Sequence, residues 1–200
     1  MVAGRPRAFC TDKALDSAMQ VFWRKGYEGA SMVDLTTAIG INSPSLYAAF
    51  GNKENLFKAV LERYDARRKS FMESVLAAPT ALDVARTFLH GIVDLAADTG
   101  GKTPPGCLYM QSGQSCSDAH ISDEVNKHRA EKEAMLCERF EQARRAGDLP
   151  AATDPATLAR YLTAMGNGMA VQASCGASAP ELRAVADIAL ASFSAFINPA

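Results

Sequence analysis

Much of what chemistry needs is missing from this 200-residue chain. Its three histidines, His90, His120 and His128, stand at no metal-ligand spacing. There is no nucleophile elbow, no glycine-rich phosphate loop and no paired-carboxylate signature, which argues against hydrolases, nucleotide-driven enzymes and metalloenzymes. Five cysteines, Cys10, Cys107, Cys116, Cys137 and Cys175, form no C-x-x-C pair. An odd count without that spacing reads as free thiols, so neither a disulfide framework nor a metal or cofactor is expected. No apolar run approaches the ~18 residues of a membrane span. The opening MVAGRPRAFC lacks the apolar core of a secretory signal, so a soluble, cytoplasmic chain without membrane contact is expected. No segment alternates as a strand does, and no internal repeat is evident.

What is present is globular: 48% hydrophobic and 22% charged residues. The formal charge of −1 hides an asymmetry. Residues 1–70 hold eleven Lys/Arg against seven Asp/Glu, whereas residues 71–200 hold ten against fifteen. A basic front on an acidic body suggests nucleic acid at the front.

Periodicity predicts helices throughout. The first runs from about Asp12 to Lys25, with Leu15, Ala18 and Phe22 inward and Gly26 closing it. In SMVDLTTAIGINSPSLYAAFGNK, Ser31 and Asp34 make a capping box, and Gly40 ends the short helix 32–39. Ser43 is read as the cap of a second short helix, with Pro44 at its first position. Leu46 and Phe50 supply the buried side of that helix and leave Ser45, Tyr47 and Ala48 outward. Three helices within about forty residues have too little core to stand alone. The helix capped by Asn52, with Leu56, Val60 and Tyr64 in a stripe, is the element they dock on. Further helices are expected at about 81–98, 107–117, 121–146, 155–175 and 179–197. The expected fold is all-α: residues 1–51 form a helix-turn-helix domain with a basic arm, and residues 52–200 a larger helical body.

Two compact helices around a glycine turn suit a helix laid in the DNA major groove. Ser45, Tyr47 and Lys53 are the leading contact candidates, with Ser31, Asn42 and Ser43 behind them because capping already accounts for them. Arg5 and Arg7 flank Pro6 in a form that suits a minor groove.

Taken together, Ala18, Phe22, Gly26–Tyr27, Ser31, Gly40, Tyr47, Phe50, Lys53, Glu54 and Leu56 resemble the N-terminal pattern of the TetR family of bacterial transcriptional regulators. The resemblance covers roughly residues 12–60 with its spacing kept. Leu35–Thr36, Pro44 and Ala49 depart from the usual pattern, the last two by removing polar groups. The resemblance implies a homodimeric repressor of a palindromic double-stranded DNA operator, and release by a small apolar or aromatic effector is expected. It also implies that the last two helices pair with their copies. Gly166, Ala170, Ala173, Val185, Ala189, Phe193 and Phe196 are the dimer candidates. Phe88, Ile92, Met135, Phe140, Tyr161, Met165 and Met169 are candidates for an apolar effector cavity, although such a stripe is more often plain core. His90 is expected to be a satisfied core or surface histidine. Two alternatives remain: a thiol sensor using Cys107 or Cys116, and a helical ligand-binding module without DNA contact.

Overall fold

Helix starts in this chain are marked by short polar side chains that take up orphan backbone N–H groups. The computed structural model describes residues 10–97, 103–113 and 117–198, and among these residues every regular element is helical. The elements are α1 (Thr11–Gly29), α2 (Met32–Ile39), α3 (Ser43–Phe50), α4 (Lys53–Leu76), α5 (Ala81–Ala96), α6 (Leu108–Gly113), α7 (Ala119–Arg145), α8 (Pro155–Ser174) and α9 (Ala179–Ile197). Asn52, Thr80, Asp118 and Asp154 cap α4, α5, α7 and α8 with their side chains. Ser31 and Ser178 form capping boxes with Asp34 and Glu181.

Two expected boundaries are corrected. The cap of α3 is Asn42, whose side chain accepts from the Ser45 N–H at 2.9 Å, and Ser43 is already inside the helix. Asn42 holds the extended backbone of a cap (φ −82°, ψ 161°), so the helix starts one residue earlier than a Ser43 cap would start it. At the end of α1 the backbone breaks at Gly26 (φ 69°), but a further short turn follows to Gly29. Gly40 ends α2 in the left-handed region (φ 77°), where its N–H reaches Thr36 O at 2.9 Å.

α1, α2 and α3 form the front of the molecule, and their core is continuous with that of the body. Phe22, Leu35, Leu46, Leu56, Phe57 and Val60 are all fully buried in one cluster. Phe22 meets Phe57 edge-on at 5.0 Å, and Trp23 meets Tyr64 edge-on at 5.1 Å. Asp16 of α1 accepts from Arg63 and pairs with Arg67 at 2.6 Å, both on α4. The front is thus held to α4 by aromatic packing and by a charged clasp. α6 also packs against α1, and Glu28 accepts from the backbone N–H and hydroxyl of Ser117 at 2.5 Å each. Behind these elements, α5, α7, α8 and α9 pack on one another. On α5 the inward residues include Val84, Phe88, Leu89 and Val93, while Leu95 is half-buried. His90 lies 3.0 Å from Asp187 and joins α5 to α9.

Candidate nucleic-acid interface and internal cavity

α3 is a short helix with one apolar side. Leu46 is fully buried and Phe50 half-buried, which turns Tyr47, Ala48 and Ala49 to solvent. Tyr47 is 49% exposed, a large exposure for an aromatic residue with no packing reason to be outside. Ser45 is partly covered at the same surface, while Ser31, Asn42 and Ser43 lie exposed at the helix starts. Ser31 is engaged with Asp34, which accepts from its N–H at 3.0 Å and its hydroxyl at 2.7 Å. A hydrogen bond from Lys25 at 2.6 Å, then those from Ser31, hold the Asp34 carboxyl well below its usual range. This fixes α2 to the end of α1. Lys53 opens α4, and its ammonium lies 4.4 Å from the centroid of the Tyr27 ring, so the contact positions it beside the end of α3. Arg5, Arg7 and Cys116 lie outside the described residues.

The body holds a cavity of about 540 Å³, a size suited to a small molecule. Phe71 and Met72 of α4 and Phe88, Ile92 and Ala96 of α5 give it an apolar side. Arg68 of α4 and Asn126, Arg129, Lys132 and Glu133 of α7 give it a polar one. Gly166 of α8 allows Phe88 to approach, since a Cβ there would stand 3.0 Å from the ring. Gly91 does the same for Phe71, whose ring edge would lie 2.2 Å from an added Cβ.

From this cavity a line of rings runs to the front. Tyr109 beside α7 meets Tyr64 edge-on at 5.4 Å, and Tyr64 meets Trp23 of α1. Burial pushes both tyrosine hydroxyls well above their ordinary pKa, so they stay protonated. The Tyr64 hydroxyl donates to Cys107 Sγ at 3.4 Å, which places that thiol in the cavity wall. Asp65 holds Lys132 at 2.5 Å and His128 at 2.7 Å, tying α4 to α7. Burial draws the Lys132 pKa down despite the pull of Asp65.

The predicted residues scatter. Of the seven cavity candidates, Phe88 and Ile92 line the cavity. Met135 stands outside, 40% exposed, on the far side of α7. Phe140 is fully buried against Phe193, and Tyr161 donates to Ala189 O at 3.0 Å within the same seam. Met165 and Met169 pack in the core rather than at the cavity. Of the dimer candidates, Ala173, Ala189 and Phe193 are buried within the protomer, and Gly166 and Ala170 line the cavity. Val185 and Phe196 are exposed, as is Ile188 at 69%.

Sequence reasoning missed Tyr64, Arg68, Phe71 and Met72 as lining residues, although their spacing is one face of α4. It also missed Asn126, Arg129, Ala130, Glu133 and Cys137, one face of α7. A helical stripe that mixes charge with small residues was the available signal.

Comparison with known proteins places these features. Residues 14–60 match the model for bacterial regulatory proteins of the tetR family, and residues 80–190 the tetracyclin repressor-like C-terminal domain. The HTH-type transcriptional repressor ComR of Escherichia coli is 34% identical over 189 residues, which is 94% of this chain and 90% of that protein. The repressor BdcR of Escherichia coli is 48% identical over 63 residues, about a third of either chain (32%). A cysteine-mutant form of the TetR-family regulator CifR, solved with 26 bp operator DNA, superposes with a TM-score of 0.89 at 36% identity. That match covers 94% of this chain and 100% of the other. The chain belongs to the TetR family and is a helix-turn-helix transcriptional regulator, not an enzyme.

Proposed function

We propose that two copies of this chain repress transcription by placing their α3 helices in successive major grooves of a palindromic operator. On this reading residues 1–51 read DNA and residues 52–200 dimerise and bind an effector. Tyr47 and Ser45 meet the DNA, with Lys53 and the cap residues Ser31, Asn42 and Ser43 along the phosphates and Arg5 and Arg7 in the arm. A single α3 reads few bases; two about 34–36 Å apart read a palindrome. The names of the relatives support repression: ComR and BdcR are repressors, and CifR was solved on its operator.

One observation carries the effector reading. The cavity and the DNA-reading front share α4 and the ring contacts Tyr109–Tyr64–Trp23. A molecule wedged against Tyr64 and Arg68 shifts α4, and α4 carries the front through Asp16, Phe22 and Trp23. An effector that favours the misplaced state by about 5.5 kcal/mol nearly empties the DNA-competent one.

The test is a fluorescence anisotropy titration against DNA from upstream of the protein's own coding sequence, at graded salt. Nanomolar, steeply salt-dependent binding is expected. Tyr47→Ala lowers the affinity by roughly 1–2 kcal/mol and leaves the helical fold intact, because the ring is half in solvent. Affinity with no salt dependence, or undiminished in Tyr47→Ala, sinks this assignment of the interface.

A further inference from the structure

We infer that the effector is an organic anion: a carboxylate carried on an apolar aromatic or alkyl body. This rests on reading the cavity as the effector site.

The charges of the wall do not balance. Among the described residues lining the cavity the cations are Arg68, Arg129 and Lys132, and the one carboxylate is Glu133. Glu133 is already engaged, accepting from Arg160 at 3.0 Å and from the Thr163 hydroxyl at 3.3 Å. Lys132 is likewise engaged, with Asp65 at 2.5 Å. That leaves two guanidinium groups, Arg68 and Arg129, with no carboxylate in ion-pair range among the described residues. Arg68 is held in place without one, since its guanidinium stacks 4.2 Å from the Tyr64 ring centroid and 5.7 Å from that of Trp23. Stacking fixes the plane of the group and leaves its N–H edge for a ligand.

A planar fork of N–H donors fits a carboxylate by two parallel hydrogen bonds, and such a pair strengthens where apolar walls lower the local dielectric. Phe71, Met72, Phe88 and Ile92 line the same cavity and take the hydrocarbon part. A cationic amine meets the same arginines as repulsion. A neutral apolar molecule fills the volume but leaves the two guanidiniums uncompensated. Arg68 also lies where the ligand would be felt: it stacks on Trp23 of the DNA-reading front and sits on α4.

The experiment is isothermal titration of the full-length protein with headgroup-matched probes: octanoate, octanol and octylamine, then phenylacetate, phenethyl alcohol and phenethylamine. At least one acid is expected to bind at least about tenfold more tightly than its alcohol, and the amines more weakly still. Arg129→Met, and separately Arg68→Met, should bring the acid down to the affinity of the alcohol while leaving the alcohol unchanged. Unchanged alcohol binding shows that the cavity survives the substitution. The proposal is overturned if alcohol or amine matches the acid, if neither acid binds below millimolar, or if both arginine variants keep full preference for the acid. Operator anisotropy on the same samples separates this from the regulatory reading. An acid that binds through the arginines yet leaves DNA affinity unaltered sustains the ligand class and removes the effector role.

Discussion

Asp16 shows how one side chain holds the DNA-reading front to the body. Its carboxylate accepts from Arg63 and pairs with Arg67, so it spans α1 and α4 without apolar cover. The hydrogen bond from Arg63 is the main cause that holds its pKa below the ordinary value of 3.8, and the charge of Arg67 adds to it. A carboxyl depressed in the folded state stabilises that state at every pH above its unfolded value. The contribution fades as acid protonates the carboxyl through its lower, folded pKa. Asp16→Asn should therefore cost roughly 1 kcal/mol at neutral pH, since these are partly exposed pairs. The gap between variant and parent should close as the pH falls below 3.8. Urea titrations at graded pH measure this, and a gap that persists unchanged into acid rules out the clasp as its source. Arg63 itself does not titrate in this range, so the profile belongs to the carboxyl.

At the scale of elements, helix starts were legible because capping is local chemistry: Ser31 with Asp34 and Ser178 with Glu181 lie three residues apart and need nothing from the rest of the fold. Asn42 in place of Ser43 is the kind of error that local reading makes, since both residues can cap and backbone geometry chooses. The cavity was not legible for a different reason. Hydrophobic periodicity finds the side of a helix that faces other atoms, but a cavity is a place where atoms are missing. Phe140, Met165 and Met169 look like lining from their chemistry and are plain core. Arg68 and Arg129 look like solvated charge and stand at the wall. What opens the space is fixed by close approach, and Gly91 of α5 is one such place. Gly91→Ala would put a Cβ 2.2 Å from the edge of the Phe71 ring, so that ring, which lines the cavity, must shift. The variant should keep operator affinity and lose effector affinity by about tenfold, as read by titration calorimetry beside DNA anisotropy. Undiminished effector binding would mean that Phe71 yields elsewhere.

For the whole molecule the question is what covers α9. This helix carries two apolar stripes. Leu182, Ala186, Ala189, Phe193 and Ile197 form the buried one, and Val185, Ile188 and Phe196 form a second that is left in solvent. Periodicity alone reports that α9 is apolar and cannot say which stripe belongs to the protomer, so the sequence reading mixed the two. Phe193 belongs to the inner stripe and Phe196 to the outer. On α8, Ala164 and Gly168 are also exposed, and an added Cβ at Gly168 meets nothing within 4 Å. Small residues on one helix and large ones on the next make a surface that a second copy related by a two-fold axis can cover. Burying each large side chain there is worth about 1.5–3 kcal/mol. Ile188, at 69% exposure, contributes little to the isolated protomer, so Ile188→Asp should leave its helicity nearly unchanged. In a dimer the same aspartate would be buried opposite apolar side chains without a partner, a cost of several kcal/mol. Sedimentation velocity should then show parent dimers and variant monomers. Operator affinity should collapse in step, because a monomer engages one half-site and loses the gain of binding both at once. A variant that stays dimeric and binds operator as before would place the interface on another face of the body. A monomer with full operator affinity would remove the palindromic reading, because α3 would then be reading its site alone.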